Sequence, residues 1–162
     1  MTPSDPIILL FRHNLWANLR LFEQCAALTS EQLSATIPGA YGSIGDTLQH
    51  IVRAEQGYYA RISTGRRLDR PENPPPMTFA EMLESLRLTG EGLIEWAPRV
   101  QAGDTVEIDW DGVLRDVPKS IILTQVINHA TEHRAQVMTT MTQLGIEPPD
   151  LQAWAYFEAL SA

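Results

Sequence analysis

The sequence predicts an all-α fold: a four-helix bundle with a small β-hairpin before its fourth long helix and a short helix at the C-terminus. Three observations carry this. Four long segments repeat apolar residues at helical spacing, stretches rich in Gly and Pro punctuate the chain between them, and only one region alternates like a strand. At 162 residues, 44% of them apolar, the chain has the size and composition of one domain with its own core, spanning 1–162. Amphipathic helices joined by short connections pack as a bundle at this length.

Residues 1–6 are polar and broken by Pro, which predicts an extended start. The first long helix is expected over Ile7–Ala27, with Leu10, Leu15, Leu19, Phe22 and Ala26 as its apolar stripe. Leu28–Leu33 reads as a turn and a short helical piece capped by Ser30 or Thr29, and Ile37–Gly42 as a loop. The second long helix starts at Ser43, whose spacing to Asp46 is that of a capping box, and runs to about Ser63 on Ile44, Leu48, Ile51, Tyr58 and Ile62.

Gly65–Pro76 is a connection whose Pro74-Pro75-Pro76 run excludes helix and favours an extended form. The third long helix begins at Thr78, boxed with Glu81, buries Leu83, Leu86, Leu93 and Ala97, and ends at Pro98. Gly90 and Gly92 inside it predict either a weak point or a close packing contact. Thr105–Asp109 and Val113–Val117 are the strands of a hairpin turned by Asp111-Gly112, a type I′ signal. Pro118 suits the first turn of the fourth long helix, Ile121–Leu144, which Gly145 caps and Pro148-Pro149 forbids to continue. Asp150 is placed to cap a short fifth helix over Leu151–Leu160, anchored by Trp154 and Phe157.

Charge and cysteine content exclude several functions. A formal net charge of −8 argues against a nucleic-acid binder, which needs clustered Lys and Arg on phosphates. The positive charges gather once, at Arg61, Arg66, Arg67 and Arg70, and read as a solvated helix end. Cys25 stands alone in an apolar stretch, so it is a small buried hydrophobe and neither an internal disulfide nor a CxxC zinc site is available. No apolar run reaches the length of a membrane span and no signal peptide is recognisable, so the expected location is cytoplasmic.

The chemistry lies in the histidines. His129 and His133 are four apart on the fourth long helix, so their imidazoles share a face and are able to share one metal ion. His50 on the second long helix offers a third ligand if the two helices face each other, and its small neighbours Ala54 and Gly57 leave room there or mark a close helix crossing. Three protein ligands with one open position is the arrangement of a catalytic metal site. The competing reading is two histidines satisfied on a wet helix face.

His129-Ala-Thr-Glu132-His133 also matches the H-x-x-E-H protease pattern, but a chain this short lacks the substrate-binding sheet edge. Glu132 is more simply a partner of Arg134 or Arg115, or a group close to the site. Asn128, Glu55 and Tyr58 are candidates to accept the second N–H of the ligating rings. The remaining histidine, His13, lies one turn before Trp16 and reads as a hydrogen-bonded packing residue. No general base stands out.

Four stretches in order, His13-Asn-Leu-Trp-Ala-Asn18, Gly42-Ser-Ile-Gly-Asp-Thr-Leu-Gln-His50 with Ala54-Glu55, Ile127-Asn-His-Ala-Thr-Glu-His-Arg-Ala-Gln136, and Leu144-Gly-Ile-Glu-Pro-Pro-Asp-Leu-Gln-Ala-Trp154, resemble the DinB superfamily, also called DinB/YfiT-like. The resemblance covers nearly the whole chain. It implies a divalent metal held by His50, His129 and His133 with water completing the shell, Zn or Ni first and Fe or Mn as alternatives. It also implies a homodimer, and a metal-dependent enzyme such as a thiol S-transferase or hydrolase acting on a small molecule, for example a low-molecular-weight thiol. The alternative is a metal-binding stress-response protein without catalysis. The family name records induction by DNA damage and implies no contact with DNA.

Overall fold

The computed structural model describes residues 5–161. Six α-helices and one two-stranded hairpin follow in the order α1 (Pro6–Cys25), α2 (Ser30–Leu33), α3 (Ile44–Thr64), α4 (Phe79–Trp96), β1 (Thr105–Trp110), β2 (Val113–Pro118), α5 (Lys119–Gln143) and α6 (Ala153–Ala159). Residues 1–4 of the expected extended start lie outside the described residues. Pro6 already belongs to α1, because Asp5 accepts the Ile7 N–H at 2.9 Å and Pro is suited to the first turn.

Local chemistry places the helix starts. Ser43 accepts from the Asp46 N–H to start α3, and the Thr29/Gln32 and Thr78/Glu81 capping boxes start α2 and α4 with both reciprocal bonds formed. Pro118 closes β2 and stands just ahead of α5 instead of in its first turn. At Asp111 and Gly112 the hairpin turn takes φ of 54° and 82°, the left-handed pair that a type I′ turn requires. The α-helical geometry of α4 ends at Trp96, and Ala97–Arg99 tightens into a 3₁₀ turn containing Pro98.

Two expectations at the chain ends are corrected. Asp150 does not cap the last helix: it accepts the Gln152 N–H, and the helix begins later, at Ala153. Trp154 and Phe157 are not its anchors, being 78% and 52% exposed, whereas Tyr156 is 8% exposed and packs against Trp16 and His13. The buried side of α1 is also rotated from the expected stripe. Phe11, Asn14, Ala17, Asn18, Leu21, Phe22 and Cys25 are buried while Leu10 is exposed, because polar Asn14 and Asn18 take core positions that a purely apolar pattern passes over.

α1 packs on α4, α4 on α3, α3 on α5, and α5 back on α1 more lightly. The core falls into two apolar halves. One is built on Leu21, Phe22, Leu48, Ile51, Leu86 and Met141, the other on Phe11, Ile62, Leu93, Val106, Ile122 and Val126. Val106 brings the hairpin onto the second half, giving the ribbon the apolar support it lacks alone.

Between the halves lies a buried polar layer. The carboxamides of Asn14 and Asn18 each accept from Arg134 Nη1 at 2.7 Å and donate to Glu55 Oε2 at 3.4 and 3.0 Å, while Thr89 donates to Glu55 Oε1 at 2.6 Å. α1, α3, α4 and α5 thus meet in one network, and among the described residues no buried side-chain polar atom lacks a partner.

Candidate metal centre

α3 and α5 pack side by side and bring His50 against His129 and His133. The Nε2 atoms of His50 and His129 are 2.9 Å apart, and one ligand nitrogen from each of the three rings lies within 4.8 Å of the others. Tetrahedral Zn–N bonds of about 2.0–2.1 Å put neighbouring ligand nitrogens about 3.3 Å apart, a spacing that lies between the 2.9 Å of the His50–His129 pair and the 4.8 Å limit of the trio. The three rings stand at steep angles to one another, 47° to 85°, with centroids 4.4 to 4.8 Å apart.

The site is only partly closed to water, with His133 buried and His50 and His129 half-buried. Burial, and then the neighbouring imidazoles, push His129 down to about 4 and His50 below the usual histidine value. Neutral rings are the form a metal needs.

Gln136 decides which nitrogen of His133 is available. Its Oε1 receives the Tyr41 backbone N–H at 3.2 Å, so the atom at that position must be the carbonyl oxygen. The same oxygen lies 2.8 Å from His133 Nδ1, which therefore carries the proton, leaving the Nε2 lone pair free. Tyr41 also stacks on His50, with centroids 4.0 Å apart and planes at 20°, and meets the edge of His133 at 5.3 Å. Gln136 is three residues beyond His133, and that helical spacing was a signal for it. Tyr41 comes from the Ile37–Gly42 loop, and nothing local pointed to it.

The other expected neighbours fall elsewhere. Tyr58 meets the site only in a T-shaped ring contact with His129, centroids 5.7 Å apart. Asn128 is exposed and makes no side-chain hydrogen bond among the described residues. Glu55 is turned into the core layer. Glu132 is exposed and pairs with neither Arg134, which is committed to the two asparagines and Thr131, nor Arg115, which lies over the Trp110 ring. His13 is a packing residue, bonded to the Leu151 carbonyl at 2.8 Å and set against Trp16 and Tyr156. Cys25 is fully buried, and burial pushes its thiol up to about 12, which leaves it inert.

The DinB family model matches residues 1–159. The chain belongs to the DinB family. It is 25% identical over 153 residues to the protein named DinB of Bacillus subtilis strain 168, the match covering 88% of each. Its fold resembles the crystal structure of a DinB-like protein from Bacillus cereus ATCC 10987, with a TM-score of 0.59 and 23% identity over 85% of this chain and 90% of that one. In this DinB-family chain the three clustered histidines lie on the two long helices α3 and α5, and Tyr41 and Gln136 contact two of them from outside the trio. No helix among the described residues is long and apolar enough to cross a membrane.

Proposed function

We propose that this DinB-family chain is one domain, a four-helix bundle of α1, α3, α4 and α5, holding a divalent metal through His50, His129 and His133. We further propose that it uses the metal in a reaction on a small molecule, thiol S-transfer or hydrolysis. The observation that carries the reading is the convergence of three imidazoles from two helices on one point that still faces solvent. An all-imidazole donor set suits Zn or Ni first, and Fe with it, whereas Mn leans toward oxygen ligands. When bound, such an ion lowers the pKa of a thiol or water at its open position and polarises an electrophile.

The protein's own groups supply the rest. Gln136 fixes the tautomer of His133, and Tyr41 covers His50 with a flat ring. Burial keeps His50 and His129 unprotonated at neutral pH. A homodimer and a cytoplasmic location belong to the same proposal. Light scattering in solution tests the dimer.

The metal reading is tested by elemental analysis of untagged protein as isolated, followed by conjugation of a small thiol to an electrophile before and after chelation. We expect about one equivalent of metal and activity that disappears with it. Activity unchanged after complete metal removal would falsify the catalytic reading. A metal-binding stress protein without catalysis is the second reading. Its support is that, among the described residues, no carboxylate is hydrogen-bonded to the histidine cluster to serve as a base. Metal bound at one equivalent without turnover of any thiol or ester offered would favour it.

A further inference from the structure

The arginines that read as a solvated helix end are assembled next to His50. A cleft of about 730 Å³ is lined by His50 and Tyr41 together with Arg53, Arg70 and Pro74. A smaller cleft of about 250 Å³ shares Arg53 and Arg70 and adds Arg61 and Arg67. Three of the four guanidinium groups are held by backbone carbonyls. Arg53 donates to Pro74 and Pro75 at 3.2 and 3.0 Å, Arg70 to Arg53 at 2.8 Å, and Arg61 to Gly57 at 3.1 Å.

Two of the guanidiniums rest against Gly57. A Cβ there would lie 3.4 Å from Arg61 Nη1 and 3.6 Å from Arg70 Nη2, so both guanidiniums come to rest over the same bare patch of α3. The Pro74–Pro76 segment walls the larger cleft, fastened to α3 by Arg53 and by Gln49, which bonds both the N–H and the carbonyl of Met77.

Among the described residues none of the four arginines is ion-paired. Among the described residues no carboxylate comes within ion-pair distance of Arg53, Arg61, Arg67 or Arg70, although the chain carries 20 acidic side chains against 12 Lys and Arg. Asp46 also lines the larger cleft, at the end where α3 begins, and accepts from the Ser43 hydroxyl at 2.6 Å without reaching any of the four guanidiniums. Burial, and then the charges of Arg53, Arg61 and Arg67, push Arg70 below the usual arginine value. Arg53, Arg61 and Arg70 are half-buried and held by backbone carbonyls, and Arg67 stands exposed at their edge. Like charges gathered this way in an otherwise acidic protein form a field that an incoming anion relieves.

We propose that Arg53, Arg61, Arg67 and Arg70 form an oxyanion subsite adjoining the histidine cluster, so that the substrate is a small organic anion whose carboxylate or phosphate is held by the guanidiniums while its reactive end reaches His50. The pairing of two guanidiniums over Gly57 suits a planar or tetrahedral oxyanion equally. The substrate assignment rests on the metal-site reading; the anion binding itself does not.

The test is calorimetric titration of metal-loaded and chelator-stripped protein with succinate and with inorganic phosphate, at low and at raised sodium chloride. Both forms are expected to bind at least one probe, with affinity falling as salt rises. The preferred probe tells carboxylate from phosphate. Arg70→Gln should weaken binding about tenfold or more without changing metal content. Arg67→Gln, which gives up no side-chain hydrogen bond and so leaves the fold intact, should weaken it in the same direction. His129→Ala should lose metal and keep the anion. Absence of binding by either probe, or binding unchanged in both arginine variants, overturns the subsite while leaving the metal centre standing. Anion binding by wild-type protein that takes up no added metal supports the subsite and removes the metal reading instead.

Discussion

Two donors meeting one oxygen set the tautomer of His133, and this makes Gln136 testable. Replacing it with Leu removes the acceptor of the Nδ1 proton and frees the ring to rotate. Loss of such an orienting partner typically costs 10–100-fold in metal affinity, so Gln136→Leu should weaken Zn binding by about that factor without unfolding the chain. Competition with a chromogenic chelator measures it, and an unchanged affinity would show that Gln136 does not orient a ligand.

Glu55 is the residue-scale feature of the core. Burial pushes its carboxyl up to about 7, against the hydrogen bonds from Thr89, Asn14 and Asn18 and the charge of Arg134, while burial likewise holds Arg134 down at about 10. Mutual attraction does not win because no direct ion pair forms: the asparagine carboxamides stand between the charges. A carboxyl raised from 4.5 to about 7 binds its proton more tightly in the fold than in the unfolded chain. Its contribution is therefore complete below pH 4.5 and is lost as the pH rises through 7, by up to roughly 3 kcal/mol. Urea unfolding of metal-free wild type and Glu55→Gln between pH 5 and 8 reads this out. Wild type should lose stability relative to the variant as pH rises, with the histidine titrations cancelling in the difference, and a flat difference would contradict it.

At the scale of elements, Gly90 and Gly92 mark where α4 is approached most closely. A Cβ on Gly90 would lie 2.6 Å from Leu15 Cδ1 and 3.1 Å from its Cβ, and one on Gly92 would lie 2.3 Å from the Tyr59 ring. The sequence left weakness and close packing as alternatives, and the contacts decide for packing. Ala favours an exposed helix interior over Gly by about 1 kcal/mol, but overpacking costs about 1–3 kcal/mol. Leu15 Cβ cannot withdraw without moving α1. Gly90→Ala should therefore destabilise by about 1–2 kcal/mol in chemical denaturation, and a stabilised variant would show that the α1–α4 contact is slack.

Helix starts were legible because caps and boxes act within four residues, as at Ser43 and Thr78. Which face of α1 is buried was not, since Asn14 and Asn18 gain core positions only through partners more than 35 residues away. The same holds at α6, where Trp154 has the larger apolar surface but Tyr156 faces Trp16.

At the scale of the molecule, a polar layer divides two apolar halves, and the histidines sit on the α3–α5 side. A ligand bound only by the folded state must stabilise all of it. Zn or Ni at a hundred times its dissociation constant adds about 2.7 kcal/mol, a rise in Tm of roughly 5–10 °C for a chain of this size. Thermal melts with and without metal should show that rise in wild type and lose it in His129→Ala. An equal rise in the variant would mean the ion binds elsewhere.

The sequence by itself determined the order of helices and hairpin, and named the three histidines, because periodicity, capping and i,i+4 spacing are local properties of the chain. Only the tertiary structure decided what surrounds them. Tyr41 and Gln136 reach His50 and His133 from a loop and a turn further along α5, the arginine cleft beside His50 joins α3 to the Arg-rich connection, and Glu55 and Glu132 face away from the cluster. Which way a side chain faces, and which distant carbonyl holds it, depends on how helices pack across the core, and no local pattern encodes that.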